Sequence, residues 1–187
     1  MSSGSEGRLQ DMETKNLATL YDLDPLDWSR VTGVLDAGFT QAPGTGGPDR
    51  HTCWLATIDP DGRPHVTAVG ALWLDGTFWF VTGATSRKGR NVGRDPRCSL
   101  SVALRDLDLV VEGEASLVTD PEVVARRVAD YAADGWGCSV DESGTAFTAP
   151  YSAPSAGPPP WSLYRLDITK ATALATAEPG GATQWTF

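Results

Sequence analysis

The chain has 187 residues, 41% of them hydrophobic, and a formal net charge of −9 at pH 7, which is typical of one globular domain. No run of about 18 apolar residues exists, so we expect no membrane-spanning helix, and the N-terminus lacks the basic start of a signal peptide. The acidic balance argues against general nucleic-acid binding, which needs a broad basic face. Cys53, Cys98 and Cys138 match no zinc or redox spacing, which indicates free thiols in a reducing cytoplasm.

Two longer helices are predicted outside the strands. Residues 1–23 are polar and predict a flexible N-terminal tail. The segment DPLDWSRVTGVLDAG, residues 24–38, then predicts a helix with Asp24 as its N-cap. DPEVVARRVADYAADG predicts a second helix over 120–134, capped by Asp120.

Between residues 51 and 118 the sequence alternates strands and turns. The predicted strands are HTCWLATI at 51–58, PHVTAVGALWL at 64–74, TFWFVTG at 77–83, RCSLSVAL at 97–104 and LDLVVEGEASLVT at 107–119. Asp75 and Gly76 predict a tight hairpin turn. After a long loop at 136–160, WSLYRLDI at 161–168 and ATALATAE at 171–178 predict two closing strands, with TQWTF last.

This order of elements predicts a mainly β fold with flanking helices. About six or seven mostly antiparallel strands indicate a β-barrel, which we expect to form a single domain over residues 24–187. Seven Trp residues and strands that are apolar on both faces exceed what one small barrel buries. This excess predicts a homodimer.

Cations are concentrated in one segment, GATSRKGRNVGRD at 83–95 and the residues just after it. From Arg87 to Arg97 there are five cations and one acid, a charge of +4, which leaves −13 on the rest of the chain. Cations in the first turn of a helix are unfavourable unless an anion binds the free N–H groups there. Two hydroxyls and two cations at this helix start predict a phosphate site; the four residues are Thr82, Ser86, Arg87 and Lys88. A solvated basic helix fits the spacing equally well.

The segment FVTGATSRKGRNV resembles the phosphate-binding segment of the pyridoxamine 5′-phosphate oxidase family, the FMN-binding split β-barrels. In that family a strand ends in Thr, and Ser-Arg-Lys-Gly follows after three residues. The neighbouring segments PHVTAVGALWLDG, LVVEGEASLVTDPEVV and WSLYRLDITKATAL are similar to the family's strands and helix in the same order. The resemblance implies a split-barrel homodimer with one flavin at each end of the subunit interface.

The resemblance also implies a role for individual residues. The cofactor phosphate would contact the four residues named above, and Thr67, Val69 and the backbone near them would contact the flavin ring. Arg90 and Asn91 are implied as further contacts, because K-x-R-N also occurs in the coenzyme F420 branch of the superfamily. Trp161, which follows three prolines, is suited either to stacking on flavin or substrate or to a place in the core.

We therefore expect an FMN-binding oxidoreductase that acts on an unidentified small molecule. The alternatives are a coenzyme F420-dependent enzyme of the same fold, which would use Arg90, Arg94 and Arg97 on the longer cofactor tail, a non-enzymatic flavin carrier, and an interaction barrel. The ending EPGGATQWTF has neither Arg nor His, unlike the Arg-Leu-His-Asp-Arg type motif of true pyridoxamine phosphate oxidases, so that substrate is not expected. The flavin would carry the chemistry, so we assign no catalytic side chain, and no residue cluster has metal-ligand spacing.

Overall fold

The structure of the chain, a computed structural model, describes residues 12–41 and 51–187. Its strands are β1 Glu13–Asn16, β2 Cys53–Ile58, β3 Pro64–Val69, β4 Ala71–Leu74, β5 Thr77–Thr82, β6 Arg97–Ala103, β7 Leu107–Val118, β8 Ser139–Val140, β9 Phe147–Thr148, β10 Ser162–Ala175 and β11 Ala182–Thr186. Its α-helices are α1 Trp28–Asp36, α2 Arg87–Arg94 and α3 Pro121–Ala133, and a short 3₁₀ helix covers Thr19–Tyr21. No helix within these ranges is long and apolar enough to cross a membrane.

One sheet contains all the strands except the small β8–β9 pair. Its order is β1-β11-β10-β7-β6-β2-β3, with β5 also paired to β10 and β4 paired to β5. Every pairing among the described strands is antiparallel. The sheet does not close on itself, because β3 pairs with β2 whereas β4 pairs with β5. The predicted mainly β split barrel is therefore confirmed, and its sheet has nine strands rather than about six or seven.

The main hydrophobic core fills the concave side of this sheet. Leu107, Leu109 and Val111 of β7 are at most 1% exposed, while the residues between them point outward, as the period of two in a strand requires. Val31 and Leu35 of α1 pack into the same core. Fully burying each such side chain contributes about 1.5–3 kcal/mol, so this alternation holds α1 and the sheet together.

A second apolar cluster covers part of the outer surface. Val124, Val128 and Tyr131 of α3 pack there against Trp79 of β5 and Leu163 of β10. These three residues belong to the buried face of the helix. The Tyr131 hydroxyl donates to the Trp79 carbonyl at 2.8 Å. Residues of the 136–160 loop complete this cluster, so that segment is packed against the sheet along much of its length.

The first helix begins later than predicted. Asp27, not Asp24, is its N-cap, and the Asp27 carboxylate accepts a hydrogen bond from the Ser29 backbone N–H at 2.7 Å. Asp27 itself has an extended conformation, and the Leu26 N–H before it donates to the Thr183 hydroxyl at 2.7 Å. That long-range contact ties the segment before the helix to β11, and no local pattern reveals it.

Two of the predicted strand boundaries are wrong. The segment predicted as one strand over 64–74 is β3 and β4, because the chain changes sheet partner at Gly70. A Cβ at that position would lie 2.6 Å from the Trp136 indole, so the bend brings backbone and ring into close contact. Conversely, the two strands predicted at 161–168 and 171–178 are the single strand β10, with an irregularity in register between Ile168 and Lys170.

Part of the predicted tail belongs to the sheet. β1 pairs with β11 over four positions, from Glu13 opposite Thr186 to Asn16 opposite Thr183. The folded unit therefore begins before residue 24, and residues 1–11 lie outside the described residues. The predicted hairpin turn is confirmed, since Asp75 and Gly76 have φ angles of 54° and 73°, as a type I′ turn requires.

Candidate functional site

The basic segment lies where β5 ends and α2 begins. Ser86 caps α2, and its hydroxyl accepts a hydrogen bond from the Gly89 N–H at 3.1 Å. The same hydroxyl lies 2.9 Å from the Thr82 hydroxyl. Two hydroxyl groups thus lie side by side at the positive end of the helix dipole, where first-turn N–H groups have no intrahelical partner.

Lys88 lies just inside this helix start and points away from solvent. The residue is 2% exposed, and its ammonium donates to the Ser155 carbonyl. Within residues 12–41 and 51–187 this neutral oxygen is its hydrogen-bond partner, and no carboxylate forms an ion pair with it. Burial lowers the pKa of Lys88 to about 8, because a charged ammonium is disfavoured away from water. A bound anion at this point would offset that cost.

Arg87 is held by an acid of the protein itself. Its Nε donates to Asp59 Oδ1 at 2.9 Å, and its Nη2 donates to Asp59 Oδ2. Hydrogen bonds from Arg87 and Asn91 hold the pKa of Asp59 at about 2, well below its usual range. The cation in the first turn is therefore partly explained by this buried carboxylate, which sequence analysis did not identify.

A whole face of α2 is bound to the end of β2. Asn91 is 2% exposed, and its amide donates to the Thr57 hydroxyl and to Asp59, each at 3.0 Å. Arg94 donates to the Ile58 carbonyl. Positions 87, 91 and 94 follow one stripe of a helix, so these contacts tie α2 to the sheet. Asn91, predicted as a cofactor contact, therefore also links α2 to the sheet.

The remaining two cations of the segment also have internal partners. Arg90 is exposed and donates to the Thr85 carbonyl at the start of the helix. Arg97 forms a two-point contact with Asp95, at 2.9 and 2.7 Å. Most of the cation surplus is therefore used within the protein, and Lys88 is the buried cation that lacks an acidic partner among the described residues.

The two residues predicted to contact a ring lie on β3, at some distance along the chain from α2. Both point to the concave side, since Thr67 is opposite Leu55 and Val69 is opposite Cys53. Thr67 is half-buried, whereas the Val69 side chain belongs to the main core. Val69 can therefore reach a ligand only through its backbone.

Trp161, the ninth predicted contact, lies in the core. It is 4% exposed, and its indole N–H donates to the Gly157 carbonyl at 3.0 Å. Ala153 and Gly157 close a turn by pairing their backbones, and this turn carries Ser155. Trp161 thus anchors the turn in which the Ser155 carbonyl accepts the hydrogen bond from Lys88.

Sequence analysis missed Asp59 and Ser155, which contact the predicted phosphate residues. Asp59 starts the turn between β2 and β3, 28 residues before Arg87, and Ser155 follows Lys88 by 67 residues. One signal was available in the glycine at 83. A Cβ there would collide with the Ala156 carbonyl, so Gly83 lets the 153–157 turn approach α2.

A groove of about 830 Å³ lies elsewhere, and its lining includes His51, Trp54, Arg105 and Val110. None of the nine predicted cofactor residues lines it. The start of α2 is the candidate site, because two hydroxyls, the first-turn N–H groups and a buried cation all belong to residues 82–89. Concavity alone specifies no chemistry.

Metal and thiol chemistry have little support in the described part of the chain. No group of three or more His, Cys, Asp or Glu in it is arranged to hold a metal ion. Cys53, Cys98 and Cys138 are free thiols, and burial raises the pKa of Cys53 and of Cys98 to about 12. Those two thiols stay protonated at neutral pH, so neither is an activated nucleophile.

Known proteins resemble both the sequence and the fold. The pattern that defines the family described as pyridoxamine 5′-phosphate oxidase matches residues 47–175. A pyridoxine/pyridoxamine 5′-phosphate oxidase from Paraburkholderia phymatum is 33% identical over 168 residues, which is 78% of this chain and 78% of the relative. Another, from Paraburkholderia xenovorans, is 35% identical over 103 residues, or 52% of this chain and 48% of the relative.

Two solved structures share the fold. A conserved hypothetical protein from Mycobacterium tuberculosis has a TM-score of 0.53 at 26% identity, covering 81% of this chain and 86% of its own. A NimC/NimA family protein from Clostridium acetobutylicum has a TM-score of 0.52 at 16% identity, covering 73% and 83%, a likeness of fold alone. The match of the family pattern to more than half of the sequence, with the P. phymatum relative, leads to one conclusion: the chain belongs to the pyridoxamine 5′-phosphate oxidase family.

Proposed function

We propose that the protein binds FMN with the phosphate at the start of α2, and that it is a flavin-dependent oxidoreductase acting on a small molecule. One observation carries the proposal. Lys88 is buried in the first turn of the helix that Ser86 caps, and its hydrogen-bond partner among the described residues is a neutral carbonyl. A buried cation without a counter-charge is costly, and a phosphate at this helix end would supply that counter-charge.

The donor set suits a phosphate monoester. Such a group carries up to two negative charges and three strong acceptor oxygens. The site offers the Lys88 ammonium, the free edge of the Arg87 guanidinium, two hydroxyls and the N–H groups of the first turn of α2. Hydrogen bonds between charged partners are roughly twice as strong as neutral ones, so the two cations would supply most of the affinity for the phosphate.

The flavin ring is expected near β3, next to Thr67. The chain alone offers little enclosure there, because β3 ends the hydrogen-bonded order of the sheet. A homodimer in which the second subunit covers the other face of the ring fits this open position, and we include it in the proposal.

Bound FMN supplies the capacity to accept and donate a hydride or electrons. The residues of this chain bind, orient and shield it. Thr82, Ser86 and Lys88 fix the phosphate end, and the β3 backbone offers N–H and carbonyl groups to the ring. Proton transfer by a protein side chain is not required for hydride transfer, so no catalytic residue is proposed.

Coenzyme F420 is the alternative cofactor. That alternative relied on Arg90, Arg94 and Arg97 to bind a longer anionic tail. Arg94 and Arg97 are engaged with the Ile58 carbonyl and with Asp95, so fewer cations are available to such a tail. FMN is therefore the preferred cofactor.

The test is a spectroscopic titration of FMN, riboflavin and F420 into wild-type protein and Lys88→Met. Methionine keeps most of the volume of the buried side chain and removes the charge. Losing one charge-assisted hydrogen bond, worth roughly 1.5–3 kcal/mol, should weaken FMN binding by about 10- to 150-fold. Riboflavin, which lacks the phosphate, should bind equally well to both proteins.

Arg126→Met on the exposed face of α3 is the matched control and should leave FMN affinity unchanged. Equal FMN affinity in all three proteins would contradict the phosphate site, and a wild type that binds no flavin would contradict the function. Tighter binding of F420 than of FMN would favour the alternative cofactor.

Because the P. phymatum relative is named for it, pyridoxamine 5′-phosphate is the first substrate to assay. A bound flavin that no assayed compound reduces would favour a carrier.

A further inference from the structure

Asp59 lies behind the exposed guanidinium of Arg87. Its side chain is 8% exposed, whereas that of Arg87 is 60% exposed. Two donors on one edge of the guanidinium, Nε and Nη2, meet the two carboxylate oxygens. Such a two-point contact fixes the plane of the guanidinium as well as its position.

A second residue of α2 reinforces the carboxylate. The Asn91 amide donates to the same Asp59 oxygen that accepts from Arg87 Nε, at 3.0 Å, and to the Thr57 hydroxyl. Asp59 is therefore bound from two successive turns of one helix and cannot rotate freely. The hydrogen bonds from Arg87 and Asn91 also keep its pKa at about 2, so Asp59 stays ionised across the physiological range.

These contacts leave one edge of Arg87 unused by Asp59. A free arginine at a helix start samples many rotamers, and ordering it on a ligand costs conformational entropy. Asp59 has already ordered it. The guanidinium also lies on the solvent side of the carboxylate, so it would stand between Asp59 and an anion arriving from solvent.

We propose that Asp59 is a positioning residue of the cofactor site, which holds Arg87 by a two-point contact so that the free edge of the guanidinium meets the FMN phosphate. The inference rests on the proposed function. A purely structural tie between β2 and α2 would behave differently. Losing Asp59 would then lower stability, and any effect on cofactor affinity would be the same with and without Arg87.

The experiment is a double-mutant cycle on the full chain with Asp59→Asn, Arg87→Met and the double variant. FMN and riboflavin affinities are measured for each, together with the melting temperature. Asp59→Asn should weaken FMN binding roughly tenfold, within the range for contacting residues of one network, and should leave riboflavin binding unchanged. In the Arg87→Met background the same substitution should change FMN affinity by less than about twofold, because the residue through which it acts is absent.

Arg87→Lys separates positioning from charge and gives a second variant if Asp59→Asn does not melt cooperatively. Lysine keeps the positive charge but cannot make the two-point contact, so Arg87→Lys should lose most of the affinity that Arg87→Met loses. Full affinity in Arg87→Lys would overturn the proposal. So would unchanged or tighter FMN binding in Asp59→Asn, or an equal effect of that substitution with and without Arg87. These results require a wild type that binds FMN, so they are distinct from failure of the proposed function.

Discussion

Lys88 places a titratable ammonium in the candidate site, with its pKa lowered by burial to about 8. Without a ligand the side chain is protonated below pH 8 and neutral above it. A phosphate dianion beside it favours the protonated form and raises its pKa. Between pH 8 and that higher value, binding must therefore take up one proton, and linkage then weakens binding as pH rises.

We expect the FMN affinity of the wild type to be nearly constant from pH 7 to 8 and to fall above pH 8, by up to about tenfold per pH unit. The ratio of FMN to riboflavin affinity, measured at each pH, cancels any titration of the ring itself. In Lys88→Met the ratio should be low and flat over the same interval. A wild-type ratio that does not decrease between pH 8 and 10 would show that Lys88 is not next to the phosphate.

The parts of the site that could be predicted depend on contacts between residues close in sequence, and the other parts depend on contacts between residues far apart in sequence. The start of α2 could be predicted, because Ser86 caps a helix through contacts within three residues. The inward direction of Lys88 could not, since it depends on a carbonyl 67 residues away. The partner of Arg87 was hidden for the same reason. Asp59 follows β2 and Arg87 follows β5, and no sequence motif relates two residues that are 28 positions apart.

Helix α3 contains an unusual feature, a buried arginine in an apolar cluster. Arg127 is 3% exposed, and its guanidinium carbon lies 4.7 Å from the Trp79 ring centroid. Its guanidinium pairs with Asp75 at 2.9 Å and with Asp130 at 3.3 Å, and Asp75 is largely exposed. Burying a charge is costly even when it is paired, and Asp75, the closer of the two acids, can return to water if the cation is removed.

We therefore expect Arg127→Met to leave the free energy of unfolding within about 1 kcal/mol of the wild type, because it keeps the packing and removes the desolvation cost. Arg127→Ala should lose about 2–4 kcal/mol, as large-to-small substitutions in a core do. Chemical denaturation of both variants measures the difference. If methionine destabilises as much as alanine does, the ion pair and the ring contact, rather than the volume, hold α3 on the sheet.

The strands show why the boundaries of secondary-structure elements could not be predicted from the sequence. The segment PHVTAVGALWL at 64–74 predicts one strand, yet a change of sheet partner at Gly70 divides it into β3 and β4. The segment after Trp161 contains Thr and Lys that suggest a break, yet β10 runs on through an irregularity in register because β7 pairs along almost its whole length. Pairing across the sheet decides both cases, and local pattern does not contain it.

At the scale of the whole molecule, the outer face of the sheet contains an apolar patch, defined here as Trp54, Val66 and Val110. These side chains are 48%, 56% and 38% exposed. They are neighbours, because Trp54 and Val110 both lie opposite Ser101 and Val66 lies opposite Ala56. Exposed contiguous apolar surface of this kind marks an interaction site. Val66 of the patch precedes Thr67 on β3, whose side chain points to the other face, so a second copy of the chain seated on the patch would reach the proposed flavin ring across the open edge of the sheet at β3.

We expect the wild type at micromolar concentration to have twice the 19.8 kDa mass of one chain in light scattering. Trp54→Glu should raise the dimer dissociation constant by at least about 30-fold, because a central aromatic contact is worth 2 kcal/mol or more and a carboxylate there must be desolvated. FMN affinity should fall with it, since the partner subunit covers the ring. Ala125→Glu, on the exposed face of α3, adds the same charge away from the patch and should alter neither quantity. A monomeric wild type, or a Trp54→Glu dimer as tight as the wild type, would remove this face as the subunit interface.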